Sequence, residues 1–285
     1  MDMQNKIIKF NIFRYHLLPI DSNPKILELF PKKKYSFDEL KVIKNDILKK
    51  ILESLEDSDS NTNPLKLEDK DDELFLFKIA QKKQATITHN FKNKIVNNEP
   101  YVYVVINNNK DIQKIAISEN FDAFSTTTVV KNLLKTILRK ELRKFGLNIE
   151  IEQIFSSISF WEFIKTYKYK ISYLNFEYIK PNMANISGKL PEDFKKLAEN
   201  VNSHESHLTL KAPENGVLEN IDKKNKVISG LVDYSSLGGG NIKVKIKGIR
   251  KQKSTSENPE FIEIREIDLE GQADQIIKLY KTIVE

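Results

Sequence analysis

The sequence predicts an α+β fold in which mainly antiparallel sheets pack against amphipathic helices. Residues 101–106 form a continuous β-branched and aromatic run, which suits a strand buried on both faces. Three asparagines at 107–109 tolerate left-handed backbone angles, and residues 112–118 resume an extended pattern, so a hairpin is indicated. Apolar residues then recur at three- and four-residue steps from Val130 to Phe145. This spacing is typical of an amphipathic helix that docks on a sheet or on another helix.

The N-terminal elements follow from alternation and capping. Residues 6–18 alternate apolar and polar side chains, which predicts a strand with one buried face. Ser36 and Glu39 form a capping box, so a helix is expected to begin there. The predicted buried stripe of this helix is Leu40, Ile43, Ile47, Ile51, Leu52 and Leu55.

Residues 53–73 are acidic and rich in serine and asparagine. Such a segment has little apolar surface to offset the entropy lost on ordering, so a mobile loop is expected. Asp71 and Asp72 could instead bind a divalent ion, but the glycine and ligand spacing of an EF-hand does not accompany them. The loop is therefore the favoured interpretation.

The same periodicities assign the rest of the chain. Residues 155–169 contain a short aromatic helix whose Trp161 is expected in the core, with stacking on a base or ligand as the alternative. The helix that begins near Pro191 is expected to bury Phe194, Leu197, Ala198 and Val201. The other predicted elements are strands at 74–80, 85–89, 149–154, 171–179, 208–211 and 226–232, a hairpin of 242–249 with 261–267, and a closing helix at 272–284.

Both halves of the chain show strands followed by a packed helix. We therefore expect an N-terminal α+β domain at 1–165, which holds the mobile acidic loop 53–73, and a C-terminal α+β domain at 166–285. A single continuous domain is the alternative.

Composition excludes several classes of site. The chain has no cysteine and four histidines, which excludes disulfides, thiolate metal sites and cysteine nucleophiles. No apolar run approaches the roughly 18 residues that a membrane-spanning helix needs, and the N-terminus lacks the apolar core of a signal peptide. We therefore expect a cytoplasmic protein without membrane contact.

No group of residues completes a familiar active site. His204 and His207 lie three residues apart, but no third metal ligand accompanies them. The glycines at 238–240 lack the Lys-Ser/Thr ending of a P-loop, and the hydroxyls at 125–128 lack the glycine elbow of a hydrolase. We predict no catalytic residue, metal or cofactor, and leave enzymatic activity open.

The basic residues are arranged as well as abundant, with a formal net charge of +6. Four of them recur at four-residue steps along the predicted helix and so share one face, which we expect to lie opposite the apolar stripe: Lys131, Lys135, Arg139 and Arg143. Lys243, Lys245 and Lys247 alternate along a predicted strand, and Arg250 follows them. Together these residues could track the phosphates of DNA or RNA. The alternative is two solvated faces, because exposed helices and sheet edges are commonly rich in lysine.

Three segments carry a resemblance to known families. They are the strand at 6–18, the Tyr-Val-Tyr-Val-Val-Ile strand at 101–106 and the Tyr-Ile-Lys-Pro-Asn segment at 178–182. Together they resemble uncharacterised bacterial families found beside restriction and phage-defence genes. The resemblance implies a prokaryotic accessory or defence protein and supplies no site residues.

The functional prediction combines this setting with the basic residues. It is a non-catalytic nucleic-acid-binding protein, accessory to a bacterial phage-defence or mobile-element system. The alternative is a module for protein–protein interaction or homo-oligomerisation that makes no nucleic-acid contact.

Overall fold

The computed structural model describes residues 6–20, 35–55, 63–265 and 273–285. The chain forms two compact units that are interleaved in sequence. The first unit comprises Met1–Asn11, Val42–Phe145 and Phe261–Glu285, and the second comprises Ile12–Lys41 and Gly146–Glu260. This division differs from a single cut at 165/166, because residues near both chain ends belong to the first unit.

The secondary structure confirms the α+β class. The strands are β1 (Ile7–Pro19), β2 (Leu65–Lys70), β3 (Leu74–Ala80), β4 (Lys83–His89), β5 (Lys92–Asn98), β6 (Tyr101–Asn107), β7 (Lys114–Ser118), β8 (Leu147–Gln153), β9 (Ile171–Ile179), β10 (Glu205–Lys211), β11 (Gly240–Ile246), β12 (Lys253–Ser254) and β13 (Phe261–Arg265). The α-helices are α1 (Phe37–Ser54), α2 (Thr127–Arg143), α3 (Ser157–Thr166), α4 (Ala184–Ser187), α5 (Glu192–Asn200), α6 (Lys226–Tyr234) and α7 (Ala273–Val284). Within the described ranges, no helix has the length and apolar character to cross a bilayer.

The first unit is built on a sheet with strand order β13-β1-β7-β6-β3-β2. The central strand β6 pairs antiparallel with β3 and β7 and is largely buried, as its apolar run predicts. Helix α2 buries Val130, Leu134, Leu138 and Leu142. Tyr280 of α7 packs edge-on against Phe10 of β1, with ring centroids 6.1 Å apart.

The acidic segment at 53–73 contains a strand, which corrects the expectation of a loop throughout. Leu65 and Leu67 of β2 are buried while Lys66 between them is exposed, and β2 pairs antiparallel with β3. The apolar alternation of β2 covers only two leucines. Pairing with the largely buried strand β3 stabilises β2 nonetheless. Residues 56–62 of the expected loop lie outside the described residues.

The hairpin β4–β5 was only partly foreseen. A strand at 85–89 is expected from the sequence, but β5 is not, and β4 pairs with β5 in a separate two-stranded sheet. Hydrophobic burial cannot reveal these strands in the sequence, because nearly all of their residues are exposed.

In the second unit, the C-terminal part of β1 pairs antiparallel with β8, and a four-stranded sheet has the order β10-β9-β11-β12. One face of this sheet packs on α3 and α6 through residues such as Phe176, Ile242, Ile164 and Leu231. Trp161 belongs to the same core, which supports its predicted packing role over base stacking.

Three expectations for residues 191–267 are wrong. Residues 226–234 form helix α6 instead of a strand, because Asn225 caps the amide of Ile228 at 3.2 Å and the apolar residues share one helical face. The expected final hairpin does not form: β11 pairs with β9 and β12, while β13 pairs with β1. On α5, Ala198 is buried, but Leu197 and Val201 are 58% and 64% exposed.

Candidate nucleic-acid interface

Helix α2 places the first predicted set of cations. Thr126 caps its start by accepting a hydrogen bond from the amide of Val129 at 3.4 Å, and Gly146, with a φ of 79°, follows its end. The buried residues recur every four positions and dock the helix by one stripe. This docking fixes the direction of every other side chain on the helix.

The row of Lys131, Lys135, Arg139 and Arg143 runs beside the buried stripe. Its first three members each follow a buried residue by one position and are half-buried, while Arg143 is exposed. The expectation that the row lies opposite the stripe is therefore corrected: a one-residue step turns by about 100° around a helix of 3.6 residues per turn. Half-burial places the aliphatic stems on the protein surface. The Nε of Arg139 is itself buried, so this guanidinium is only partly open to solvent.

The charge along α2 is strongly one-sided. From residue 127 to residue 143 the helix carries five basic residues and one acid, Glu141, which pairs with Lys144 just beyond the helix. Lys135 and Arg139 also interact with other groups of the protein. Lys131 and Arg143 form no ion pair with the described residues, so their charges are the least neutralised of the row.

The second predicted set is less uniform. Lys243 Nζ forms an ion pair with Glu177 Oε1, and Lys247 Nζ donates to the carbonyl oxygen of Asn215. The strand ends at Ile246, with a register shift between Lys245 and Ile246, so Lys247 does not continue the predicted alternation. Lys245 and Arg250 are exposed. Two of the four cations are thus held by groups of the second unit.

Glu177 is the reason that β11 is not a basic surface of the expected kind. Its carboxylate accepts hydrogen bonds from Asn241 Nδ2 at 3.0 Å and Asn175 Nδ2 at 3.2 Å, in addition to the ion pair with Lys243. The side chain of His207 lies 3.8 Å away. A carboxylate with these partners neutralises the local charge of Lys243 and orients it along the sheet.

The two histidines do not form a pair. His204 Nε2 lies 2.8 Å from the carbonyl oxygen of Pro19, whereas His207 lies on β10 next to Glu205, with Nε2 and Oε1 3.3 Å apart. Across residues 6–20, 35–55, 63–265 and 273–285, no group of three or more His, Asp or Glu side chains could hold a metal ion.

Two buried basic side chains in the second unit, Arg14 and His16, were not singled out from the sequence. Arg14 is 4% exposed, and its Nε donates to the carbonyl oxygen of Leu237 at 2.6 Å. Burial lowers the pKa of Arg14 to about 10, against an opposing contribution from Tyr234. His16 is fully buried, with Nδ1 2.9 Å from Asn182 Oδ1 and Nε2 2.7 Å from the carbonyl oxygen of Gly238.

These buried groups hold the turn that leads into β11. A π-helical turn, Ser235–Gly239, exposes carbonyl oxygens that Arg14 and His16 engage. Gly238 has a φ of 84°, and a Cβ there would lie 2.5 Å from the Cβ of Arg14, so the position requires glycine. Because both side chains are buried, they stabilise the turn and cannot contact the backbone of a nucleic acid.

The two predicted sets belong to different units: the α2 row to the first and the β11 cations to the second. The structure also reveals basic residues on the β4–β5 hairpin that were not singled out from the sequence. The available signal was a run without any carboxylate, from residue 81 to residue 98, that contains four lysines.

No family model, no curated protein and no solved structure matches this chain. The resemblance to families beside phage-defence genes therefore stays a prediction. Any function has to be argued from the charges and geometry described above.

Proposed function

We propose that this protein binds nucleic acid without catalysis and that the row on α2 is its principal contact with the phosphate backbone. The observation that carries the proposal is the spacing of Lys131, Lys135, Arg139 and Arg143 beside a firmly docked stripe. Twelve residues of helix at about 1.5 Å per residue give a row of about 18 Å. A rigid row of that length can face several successive phosphates.

The mechanism is neutralisation of phosphates with release of condensed counterions. Phosphate contacts position a protein on its ligand but do not read sequence. The row contains two lysines, which act as point charges, and two arginines, which can grip a phosphate through two hydrogen bonds. The resemblance noted in the sequence supports the proposed setting as an accessory component of a phage-defence or mobile-element system.

A fluorescence-anisotropy titration of labelled duplex DNA, single-stranded DNA and RNA at several salt concentrations tests the proposal. The informative variant combines Lys131→Gln with Arg143→Gln. Each lost phosphate contact lowers the slope of log affinity against log salt by about 0.9 on duplex DNA, so a reduction of about 1.8 is expected.

The control variant combines Lys50→Gln with Lys110→Gln, two exposed lysines of the first unit that lie on α1 and between β6 and β7. It changes the net charge by the same amount and should leave the slope within about 0.3 of wild type, since no phosphate contact is removed. Absence of binding by the wild-type protein at low salt would contradict the proposal, as would equal slopes for all three proteins.

A second function is favoured by a different observation. Leu197 and Val201 lie four residues apart at the C-terminal end of α5 and are both exposed. An exposed apolar pair on one side of a helix suits contact with another protein or a second copy of this chain.

Sedimentation velocity over a range of concentrations tests self-association. The double substitution Leu197→Gln with Val201→Gln should weaken self-association. A wild-type protein that stays monomeric at high concentration would exclude the oligomeric form of this alternative.

A further inference from the structure

The hairpin β4–β5 is exposed on both faces. Only Ala85 and Val96, which are paired with each other, are half-buried in its two strands. The base is closed by a hydrogen bond from the amide of Gln81 to the carbonyl oxygen of Pro100, 3.0 Å long. Seven residues per strand at about 3.4 Å per residue give an arm roughly 20 Å long.

The two faces of the hairpin differ in chemistry. Side chains that are paired across an antiparallel ladder share a face, so the register places four basic side chains on one side: Lys83, Lys92, Lys94 and His89. The other face carries hydroxyl and amide groups, including those of Gln84, Thr86, Asn93 and Asn97. No carboxylate occurs in the hairpin. Lys83 at its base donates to the carbonyl oxygen of Asp122 at 2.7 Å, whereas Lys92 and Lys94 near the tip are exposed.

The tip carries an aromatic residue where packing cannot explain it. The turn consists of Asn90 and Phe91, both with positive φ, and the φ of Phe91 is 62°. Two-residue turns of this kind favour asparagine followed by glycine, and a bulky side chain in this region costs about 1–2 kcal/mol. Phe91 is also fully exposed, so no buried contact with the described part of the chain offsets that cost.

We propose that the hairpin β4–β5 is an arm that enters a groove of duplex DNA, with its basic face on the phosphates and Phe91 against the bases. This inference rests on the proposed function. It adds the hairpin β4–β5 to helix α2 as a second DNA-binding element of the first unit. A strained, solvent-exposed aromatic residue at the end of a basic ribbon is explained by a ligand that it contacts.

Three physical points select duplex DNA as the ligand. A ribbon with several cations and no anion is complementary to a polyanion. The major groove of B-DNA, about 12 Å wide, admits a two-stranded ribbon, whereas the major groove of an RNA helix is too narrow for side chains to read. The amide face offers groups that pair with base edges, and phenylalanine makes apolar contact with thymine methyl groups.

The first test replaces the tip by Phe91→Gly and measures duplex binding by fluorescence anisotropy. Glycine relieves the backbone strain, so the thermal midpoint should stay level or rise and unfolding cannot explain a loss of binding. We expect affinity to fall about tenfold at unchanged salt slope, since aromatic contacts with bases are worth about 1–3 kcal/mol and no phosphate contact is lost.

The second test neutralises the basic face by Lys92→Gln with Lys94→Gln. The expected result is a salt slope lower by about 1.8, matched against the Lys50→Gln and Lys110→Gln control. A direct readout comes from Phe91→Trp, because the natural Trp161 is buried in the core and the new indole is exposed. Quenching of the added emission by duplex DNA is expected, and unchanged emission at saturating DNA would overturn the contact of the tip with bases.

The outcomes separate this inference from the proposed function. If wild type binds duplex DNA and only the α2 variant lowers the slope, the arm is refuted while the proposed function stands. If wild type binds no nucleic acid at low salt, both fail. Tighter, Phe91-dependent binding of single-stranded DNA or RNA would overturn the assignment to a duplex. A role of the hairpin in self-association that Phe91→Gly abolishes, without any effect on DNA binding, would also overturn it.

Discussion

Strand β11 and the hairpin β4–β5 carry similar lysine patterns in different surroundings. In β11, Lys243 faces Glu177 on the neighbouring strand β9, and that carboxylate neutralises it. In the hairpin, Lys94 is paired across the ladder with Ile87 and Lys92 with His89, and neither strand contains an acid. Alternating lysines therefore indicate a basic surface only when the strands paired with them supply no carboxylate.

The largest expected effect concerns the close contact of β11 with β9. A Cβ on Gly240 would lie 1.9 Å from the carbonyl oxygen of Glu177, so Gly240→Ala must separate the two strands. We expect a loss of more than about 3 kcal/mol in the free energy of unfolding, measured by urea denaturation. Gly188→Ala is the control, because a Cβ there meets nothing within 4 Å and the change should stay within about 0.5 kcal/mol. Equal midpoints for the two variants would show that β11 is not held as described.

The second-largest expected effect concerns a buried lysine, Lys44. Its environment differs from those of the lysines on β11 and on the hairpin β4–β5. Burial lowers the pKa of Lys44 on α1 to about 8, from 10.5. Below pH 8 the Lys44 amine is charged in both the folded and the unfolded protein. The folded state then bears the full cost of burying this charge, up to roughly 3 kcal/mol. As pH rises from 8 to 10.5 the folded state loses its proton first, so the penalty shrinks and stability rises.

Lys44→Met tests this dependence of stability on pH, because methionine has no charge to bury. At pH 7 the variant should be more stable than wild type by about 1–3 kcal/mol, and the difference should narrow between pH 8 and 10. Urea unfolding at several pH values measures both. A constant difference across this range would mean that Lys44 does not titrate in its folded environment.

The third effect is the loss of the carboxylate that neutralises β11. Glu177→Gln should cost about 1–2 kcal/mol of folding stability, because Lys243 and Asn241 lose a charged acceptor. A double-mutant cycle with Lys243→Gln measures the coupling between the two side chains, expected at about 0.5–1 kcal/mol for a pair that is partly exposed. A coupling near zero would place the origin of the stability loss elsewhere in the network.

The smallest expected change in folding stability is at the tip of the hairpin β4–β5, where the exposed Phe91 makes neither an ion pair nor a core contact with the described residues. Phe91→Gly should raise the free energy of unfolding by up to about 1 kcal/mol. Glycine relieves the strain of about 1–2 kcal/mol, but it also loses more backbone entropy on folding. Asn90→Gly is the matched control, with a smaller gain expected because asparagine tolerates this region better than phenylalanine. Differential scanning calorimetry resolves the two, and destabilisation by Phe91→Gly would show that the ring stabilises the folded state.

The sequence alone determined the elements that depend on neighbours a few residues away. The capping box forms as expected, with the Ser36 amide 2.7 Å from Glu39 Oε2 and the Glu39 amide 3.3 Å from Ser36 Oγ. The buried strand at 101–106 and the stripe on α2 are also present. Capping, alternation and helical periodicity are local, so the residue order records them directly.

Tertiary structure decided which strands pair and which charges are neutralised. The pairing of β13 with β1 joins residues about 250 positions apart, and no local pattern specifies it. The same holds for Lys243, whose environment depends on Glu177. It also holds for Leu197 on α5 and Val201 just after its end, which continue an apolar pattern but are not covered by the core. Burial and charge pairing depend on the packing of distant elements, so they emerge only when the whole chain has folded.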